Sequence, residues 1–297
     1  MVTQIDIQEI HPADPRYRLV RKLRKLRSIR GWSRFADLVA PVGRNGRFLV
    51  DNDGIFFEGD ISSFIDRSIY IRGEYEQENI RLFLSCLPES KRKIILDVGA
   101  NIGTHSLTFA KYFQQVHAFE PNTALFTVFR RNVELNELNN VTLHEVGLAN
   151  SNAMQPFFSI PKNNQGLGTF SDNEQYDLPL AKIGSFRVVK GDEYLSSLEG
   201  GGIDAIKIDV QGYEHHVLQG LQEILRKHIP VVWFEYGSGT REKLTTLDSI
   251  KSIFPYEVEL LLMATVKSGF QHYAELQNID STSEMPVGDY LAIPAGK

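Results

Sequence analysis

The 297-residue sequence contains one cysteine, Cys86, and no apolar run approaching the ~20 residues that cross a membrane. A single cysteine excludes an internal disulfide, and an N-terminus that carries Asp6 and Glu9 without an apolar segment argues against a signal peptide. Internal repeats and low-complexity tracts are also absent. With 42% hydrophobic and 23% charged residues, the sequence predicts a globular, cytoplasmic protein with one large domain.

The net charge of −5 is unevenly distributed along the chain. Residues 1–36 carry nine Lys or Arg and three Asp or Glu, so this segment is +6 and the remainder is −11. Val20, Leu23 and Leu26 recur at three-residue steps, which predicts a basic amphipathic helix. Either its apolar stripe packs on the protein itself, or residues 16–35 contact an anionic membrane surface or a phosphate-bearing partner.

The chain divides into a predicted extension at 1–72 and a main domain at 73–297. In the extension, Arg47–Phe57 alternates around Asn52-Asp53-Gly54, which indicates a β-hairpin after the basic helix. In the main domain, apolar strands alternate with amphipathic helices, which predicts a mostly parallel sheet with helices on both faces. The predicted strands are 93–98, 116–120, 141–146, 203–210, 231–236, 256–262 and 290–293. Single helices are predicted from about 214 to 228 and from 241 to 252. Ligands of such sheets bind beyond the carboxyl ends of the strands.

The stretch Lys93–Ser106 predicts a buried strand, a glycine-bearing turn and a helix. Gly99 and Gly103 have no Cβ, so a ligand can approach the backbone of this turn closely. Glu120 ends the next strand, 21 residues after Gly99, which is the spacing of a ribose-binding acid in nucleotide-binding units. Asn101 between the glycines departs from the G-x-G-x-x-G pattern that a dinucleotide pyrophosphate requires.

Four charged residues near the ends of the fourth and fifth strands are candidates for catalysis: Lys207, Asp209, Glu214 and Glu235. In one interpretation Asp209 or Glu214 is a general base and Lys207 offsets the charge of a developing alkoxide. In a second, Asp209 and Glu235 bind a divalent metal, Mg²⁺ or Ca²⁺, that acidifies a hydroxyl. In a third, Lys207 and Asp209 form an ion pair and Glu214 complements a helix dipole.

Further residues are candidates for the same site. His105 follows the glycine turn within reach of the pocket, and His215 is a minor candidate base. The polar tract Asn163–Asn173 is typical of a loop over a substrate, in which Thr169 and Ser171 would bond acceptor hydroxyls.

Three motifs together resemble the FkbM family of S-adenosylmethionine-dependent methyltransferases over roughly Gly73–Pro294. They are D-V-G-A-N-I-G-T-H-S from Asp97, F-E-P-N from Phe119 and K-I-D-V-Q-G-Y-E from Lys207. The resemblance implies a class I methyltransferase (Rossmann-like) fold, with seven strands of which the last is antiparallel. It also implies O-methylation of a sugar, glycoside or natural product. Gln211 stands where the family commonly has Glu, so a carboxylate is not essential there.

The resemblance also implies which residues bind S-adenosylmethionine. The turn from Asp97 would hold the aminoacyl half, Glu120 the ribose and Leu148 the adenine. The full set is Glu76, Asp97, Gly99, Ala100, Asn101, Gly103, Glu120, Pro121, Asn122, Gly147 and Leu148.

Two other functions remain open at this stage. A nicotinamide-dependent oxidoreductase would share the sheet and Glu120, and a methyltransferase acting on nucleic acid or protein would share the whole domain. No nucleic-acid partner is expected, because the N/D-P-P-Y/F signature of exocyclic-amine methylation is absent. We therefore expect a small-molecule or glycan acceptor, and leave homo-oligomerisation open.

Overall fold

The computed structural model describes residues 9–26, 31–41, 46–73, 75–159, 168–170, 180–196, 201–268, 271–279 and 285–296. The helices are α1 Pro15–Lys22, α2 Trp32–Val39, α3 Phe64–Arg72, α4 Gln77–Ser85, α5 Thr104–Phe109, α6 Phe126–Leu135, α7 Gly191–Leu195, α8 Glu214–Gly220, α9 Gln222–His228, α10 Ser238–Lys243 and α11 Leu247–Lys251. The strands are β1 Arg47–Asp51, β2 Phe56–Asp60, β3 Ile94–Val98, β4 Gln115–Phe119, β5 Val141–His144, β6 Gly147–Ala149, β7 Ala153–Ser159, β8 Gly168–Thr169, β9 Ala181–Lys190, β10 Ile203–Ile208, β11 Val231–Tyr236, β12 Val258–Ser268, β13 Gln271–Asn278 and β14 Gly288–Pro294.

The main sheet has the strand order β13-β12-β14-β11-β10-β3-β4-β5. The five strands from β11 to β5 are parallel, and β14 lies antiparallel between β11 and β12. This arrangement is the class I methyltransferase fold, which confirms the predicted fold class. The predicted count of seven strands was one too low, because β12 extends to Ser268 and pairs with the unpredicted β13.

A second sheet has the strand order β6-β9-β7-β8. Its strands lie between residues 147 and 190, where the sequence predicted none. The predicted strand 141–146 ends earlier, at His144, and the chain continues into β6, which pairs with β9. Along β9 only Val188 and Val189 are buried. The alternation of apolar and polar residues that marks a strand in a sequence is therefore weak. This explains why the second sheet was missed.

The predicted helix after β10 is divided into α8 and α9. At the division, Gly220 packs so closely on β6 that a Cβ would collide with the carbonyl of Ala149. The predicted helix at 241–252 is likewise divided into α10 and α11, and Thr246 caps the second of these through its hydroxyl.

The extension contains the predicted hairpin, β1–β2, which turns through Asp53 and Gly54 in the left-handed region (φ 54° and 80°). The basic amphipathic helix predicted around Val20, Leu23 and Leu26 is present as α1, but it ends at Lys22. A 3-10 turn then covers Arg24–Leu26, and α2 begins at Trp32.

The extension and the main domain share one hydrophobic cluster. Tyr17, Val20 and Trp32 of the extension belong to the same cluster as Ile102 and Leu107 beside the glycine turn. Polar contacts follow the same seam, where buried Asn132 of α6 accepts from the Glu58 amide (2.7 Å) and donates to the Glu58 carbonyl (3.2 Å). The predicted boundary at residue 72 therefore crosses a continuous core.

Among the described residues, no helix is long and apolar enough to cross a membrane.

Candidate active site

A cavity opens at the carboxyl ends of β3, β4 and β10, with about 880 Å³ of empty space including the part open to solvent. Its lining comes from the glycine turn, the second sheet, the loop after β10 and the extension. The lining residues that the sequence predicted are Gly99, Ala100, Asn101, His105, Glu120, Pro121, Asn122, Gly147, Leu148, Lys207 and Asp209. The structure thus brings eleven of the predicted site residues to one cavity.

The glycine turn is held by two backbone hydrogen bonds. The N–H groups of Gly99 and Ala100 both donate to the carbonyl of Phe119, each at 3.0 Å. Gly99 has a φ of +83°, and a Cβ there would collide with the backbone carbonyl of Asp209. Asn101 also lies in the left-handed region, at φ +55°, which asparagine tolerates better than most residues. Glycine at 99 is therefore required both by the backbone angle and by the neighbouring chain.

Glu120 is buried at the end of β4 and bonded to the backbone on both oxygens. Oε2 accepts from the Asn101 amide (3.0 Å) and Oε1 from the Asn122 amide (2.8 Å). Burial raises the pKa of Glu120 to about 7, although these two hydrogen bonds oppose the shift. Because a carboxylate has about four acceptor positions, two remain for a ligand in the cavity.

Lys207 forms ion pairs with two carboxylates at the carboxyl end of β10. Its Nζ lies 3.5 Å from Asp97 Oδ1 and 3.4 Å from Asp209 Oδ2, and its side chain is almost fully buried. Burial alone would lower the pKa of Lys207, but Asp209 and Asp97 outweigh it and hold the pKa above its usual value. Asp97 does not line the cavity: its Oδ2 accepts from Ser106 Oγ (2.5 Å) beneath the turn.

Gln211 separates the two carboxylates that the sequence proposed as metal ligands. Its Nε2 donates to Asp209 Oδ1 and to Glu235 Oε2, each at 2.7 Å. Burial would raise the pKa of Asp209, but Lys207 and Gln211 hold it low; burial and Asp209 raise the pKa of Glu235. Glu235 itself lies outside the cavity lining.

This donor set does not fit a divalent ion. An amide N–H, which cannot ligate a cation, occupies the space between Asp209 and Glu235, and the Lys207 ammonium adjoins Asp209. Within the described part of the chain, no group of three or more His, Cys, Asp or Glu side chains is placed to hold a metal.

Glu214 is buried away from the cavity and supports the loop after β10. Its Oε1 accepts from the amides of Val210 (3.0 Å) and Gly212 (3.1 Å), and its Oε2 accepts from the Thr240 hydroxyl. Burial raises the pKa of Glu214 to about 7. Both oxygens of Glu214 are thus bonded within the protein, so the prediction that Glu214 is a general base was wrong. Its role is also more than an interaction with the helix dipole, because it holds the loop after β10.

Two further predicted donor-site residues lie behind the lining. Gly103 precedes α5 with a φ of +93°, and a Cβ there would press on Phe129. Glu76 precedes α4, and its Oε2 lies 3.1 Å from Nε2 of His105, which does line the cavity.

Several lining residues were not predicted, and half of them come from outside the three motifs. Tyr75 lines the cavity and its ring centroid lies 5.8 Å from that of His105; burial raises the pKa of the Tyr75 hydroxyl. A signal for it existed, because Tyr75 lies beside the predicted Glu76. The other unpredicted lining residues are Ile65, Val98, Thr104, Phe119, Leu125, Phe157, Gly168, Phe170, Val210, Gln211 and Tyr213.

The second sheet supplies an aromatic wall. Phe170 lies at ring-centroid distances of 5.0 Å from Phe157 and 5.4 Å from Tyr213. Of the predicted substrate loop, only residues 168–170 are described; Ser171 and the remainder lie outside the described residues. Thr169 is buried and donates from its hydroxyl to the Gln211 carbonyl (2.5 Å), so it bonds the backbone and does not line the cavity.

Comparisons with known proteins identify the family of this chain. A sequence model of the methyltransferase FkbM domain matches residues 97–259, more than half of the chain. Methyltransferase 1 of Beauveria bassiana is 27% identical over 176 residues, covering 54% of this chain and 67% of that protein. Hexuronic acid methyltransferase AglP of Haloferax volcanii is 30% identical over 176 residues, covering 59% of this chain and 67% of that protein.

A solved structure, of methyltransferase FkbM from Methylobacillus flagellatus KT, is 17% identical and superposes with a TM-score of 0.41. The superposition covers 71% of this chain and spans about half, 52%, of the other. Because the family match contains β4, β5, β10 and β11 and includes Asp97, Glu120 and the loop after β10, the oxidoreductase alternative no longer has support. The chain belongs to the FkbM methyltransferase family, and the protein is a methyltransferase.

Proposed function

We propose that the cavity binds S-adenosyl-L-methionine and that the protein transfers the methyl group to a hydroxyl of a sugar, glycoside or natural product. The observation that carries the proposal is Glu120, whose carboxylate is fixed by two backbone amides and keeps acceptor positions for a ribose diol. A pyrophosphate, by contrast, would be repelled by this buried acid.

The rest of the cavity fits the same donor. Gly99, Ala100 and Asn101 of the glycine turn line the cavity beside Glu120, where the aminoacyl half of the donor would lie. Leu125 and Leu148 lie on the same lining as Glu120 and suit the apolar faces of an adenine.

The acceptor end of the cavity supports a ring-shaped, hydroxyl-bearing molecule. Phe157, Phe170 and Tyr213 provide flat apolar faces beside the polar Asp209 and Gln211, and such a mixture is typical of sites that orient a small polar ligand. The relative from Haloferax volcanii is named for a hexuronic acid, which favours a sugar acceptor.

Asp209 is the base in this proposal. When bound, the donor supplies a methyl group that is already electrophilic, so the protein has to position the hydroxyl and remove its proton. Asp209 lines the cavity, and Lys207 and Gln211 keep its carboxylate ionised. His105, which lines the same cavity and has Glu76 behind it, is the second candidate. Lys207 and Glu214 act as positioning residues.

Because the donor set at Asp209 and Glu235 does not fit a cation, no step in this proposal requires a metal. Turnover should therefore be unchanged after dialysis against EDTA.

The decisive experiment uses the purified protein with S-adenosylmethionine carrying a labelled methyl group. It is incubated with a panel of uronic acids, glycosides and polyketide alcohols, and products are sought by mass shift and located by NMR. We expect calorimetry to detect S-adenosylhomocysteine binding but no NAD binding, and products to be methyl ethers. Absence of S-adenosylhomocysteine binding would refute the donor assignment; methylation on nitrogen or carbon would refute only the acceptor assignment.

A further inference from the structure

The solvent face of α1 and of the turn after it combines cations with apolar side chains. Arg18, Leu19 and Lys22 are exposed on one side of the helix, and Lys25 and Leu26 continue this side beyond its end. We call these five residues the basic–apolar face. Leu19 is 50% exposed and Leu26 is 44% exposed, although helices usually bury leucine. On the opposite side of α1, Tyr17, Val20 and Arg21 are buried in the extension.

The carboxylates of the extension are paired with cations other than those of this face. Among the described residues, no ion pair joins a carboxylate to Arg18, Lys22 or Lys25. The ion pairs within the extension include Arg16–Asp14 (2.7 Å), Arg21–Glu9 (3.2 Å), Arg24–Asp53 (3.7 Å), Arg67–Asp37 (3.0 Å) and Arg47–Glu58. The positive excess of the extension is therefore concentrated on the basic–apolar face.

Arg21 and Arg24 lie beside this face. Both donate to Asn52 Oδ1, at 2.9 and 3.1 Å, and they line the same open groove as Arg18, Lys22 and Lys25, together with Glu9 and Asp51. Because Glu9 and Asp53 pair with Arg21 and Arg24, the attraction of an anionic surface depends on the three cations of the face.

Exposed apolar side chains are also concentrated in the extension. Phe35 and Leu38, three residues apart on α2, are 40% and 82% exposed. Of the large apolar side chains exposed in the described part of the chain, more than half precede residue 65: Ile10, Leu19, Leu26, Phe35, Leu38 and Phe64. Segments that lie in a membrane interface typically combine exposed apolar side chains with unpaired cations.

We propose that the extension docks on an anionic lipid bilayer through the basic–apolar face, with Phe35 and Leu38 adding apolar contact. A bilayer uses both features, because lipid headgroups attract the cations while Leu19 and Leu26 enter the acyl boundary. A nucleic acid would use the cations alone and leave the leucines in water. The extension also contributes Ile65 to the cavity wall, so docking would hold the cavity near the bilayer. This inference goes beyond the proposed function and does not depend on it.

The test is co-sedimentation of the full chain with two kinds of vesicle. One contains phosphatidylcholine only, and the other contains about one third phosphatidylglycerol, which supplies the negative surface potential. We expect binding to the anionic vesicles, at least tenfold weaker binding to the neutral ones, and weakening as salt is raised from about 0.1 to 0.5 M.

Two variants separate the contributions. Arg18→Glu/Lys22→Glu/Lys25→Glu should lose at least tenfold in affinity, and Leu19→Gln/Leu26→Gln should also weaken binding although charge is unchanged. The matched control is Lys182→Glu/Lys227→Glu/Lys251→Glu, which reverses three exposed lysines outside the extension and should bind nearly as wild type. All four proteins are first compared by circular dichroism and thermal melting, and any variant that has lost its fold is replaced by the corresponding single substitutions.

Three results would overturn the proposal. They are equal binding to both kinds of vesicle, an equal loss in the control, and full binding by the leucine variant. If the leucine variant also binds a single-stranded RNA as tightly as wild type does, the face is a polyanion site and not a membrane site.

Discussion

Glu120 is the residue on which the donor assignment depends, and its buried carboxyl makes donor binding sensitive to pH. Burial raises the pKa of Glu120 to about 7, so the free protein is partly protonated near neutrality. Ribose hydroxyls donate hydrogen bonds and therefore favour the ionised form, which lowers this pKa in the complex. Binding should strengthen as the pH rises through 7 and level off above it.

We predict that affinity for S-adenosylhomocysteine increases by up to about tenfold between pH 6 and pH 8, the limit for one proton with this pKa. Calorimetry at the two pH values measures it. Glu120→Gln should bind at least about tenfold more weakly at pH 8, because one acceptor oxygen is replaced by a donor, and its pH dependence should be flat. An unchanged pH slope in a folded variant would mean that another group titrates.

Asp209 and His105 both line the cavity, and substitution distinguishes which removes the proton. Asp209→Asn keeps the size and an acceptor for Gln211, so donor affinity should remain within about threefold, while kcat should fall by at least ~10² because general-base catalysis contributes that much. Single-turnover methyl transfer measures the loss. His105→Gln is the paired variant, with a smaller expected effect. If its kcat falls while Asp209→Asn stays active, the base is His105.

At the scale of elements, the turn between β3 and α5 depends on Gly99 for two separate reasons. Its φ is +83°, and a Cβ would collide with the carbonyl of Asp209 on the neighbouring strand end. Gly54 in the β1–β2 hairpin has nearly the same φ, +80°, but nothing lies within 4 Å of a Cβ there. The two glycines therefore separate the cost of the backbone angle from the cost of the close approach.

Gly54→Ala should lower the free energy of unfolding by about 1–2 kcal/mol, the cost of placing an L-residue in the left-handed region. Gly99→Ala should lower the free energy of unfolding by at least about 3 kcal/mol, because the collision with the Asp209 carbonyl adds to the cost of the backbone angle. It should also weaken donor binding, whereas Gly54→Ala should not. Urea titrations and calorimetry provide both values. Equal destabilisation by the two substitutions would contradict the close approach.

The elements that sequence patterns predicted well are those with buried, regular strands. All five residues of β3 are buried, and β10 and β11 are nearly so, which gives continuous apolar runs between helices. The second sheet escaped prediction because its strands are short or mostly exposed and pair across long separations, as β6 does with β9. Consequently the aromatic wall with Phe170 was not foreseen either.

At the scale of the whole molecule, the shared core predicts that the extension and the main domain unfold together. The sequence contains two tryptophans: Trp32 in the extension, which packs in the cluster with Ile102, and Trp233 inside the main sheet. Asn132 links the two parts through its bonds to the Glu58 backbone. A common core of this kind favours a single cooperative transition.

Trp32→Phe and Trp233→Phe each leave one fluorescent reporter, on opposite sides of the predicted boundary. We predict coincident urea unfolding curves after allowance for the stability change that each substitution makes by itself. That allowance is measured by circular dichroism on the same samples. Two separated transitions would show that residues 1–72 form an independent unit.

The sequence by itself determined the parts whose signal lies within a few neighbouring residues. Apolar runs predict the parallel strands, a glycine after the first strand predicts the turn at Gly99, and the 21-residue spacing to Glu120 predicts an acid at the next strand end. The tertiary structure alone decided what these groups touch. It turned Glu214 towards backbone amides, inserted Gln211 between Asp209 and Glu235, and brought Ile65 to the cavity from the extension. These contacts depend on how distant segments pack, and a local pattern carries no record of that packing.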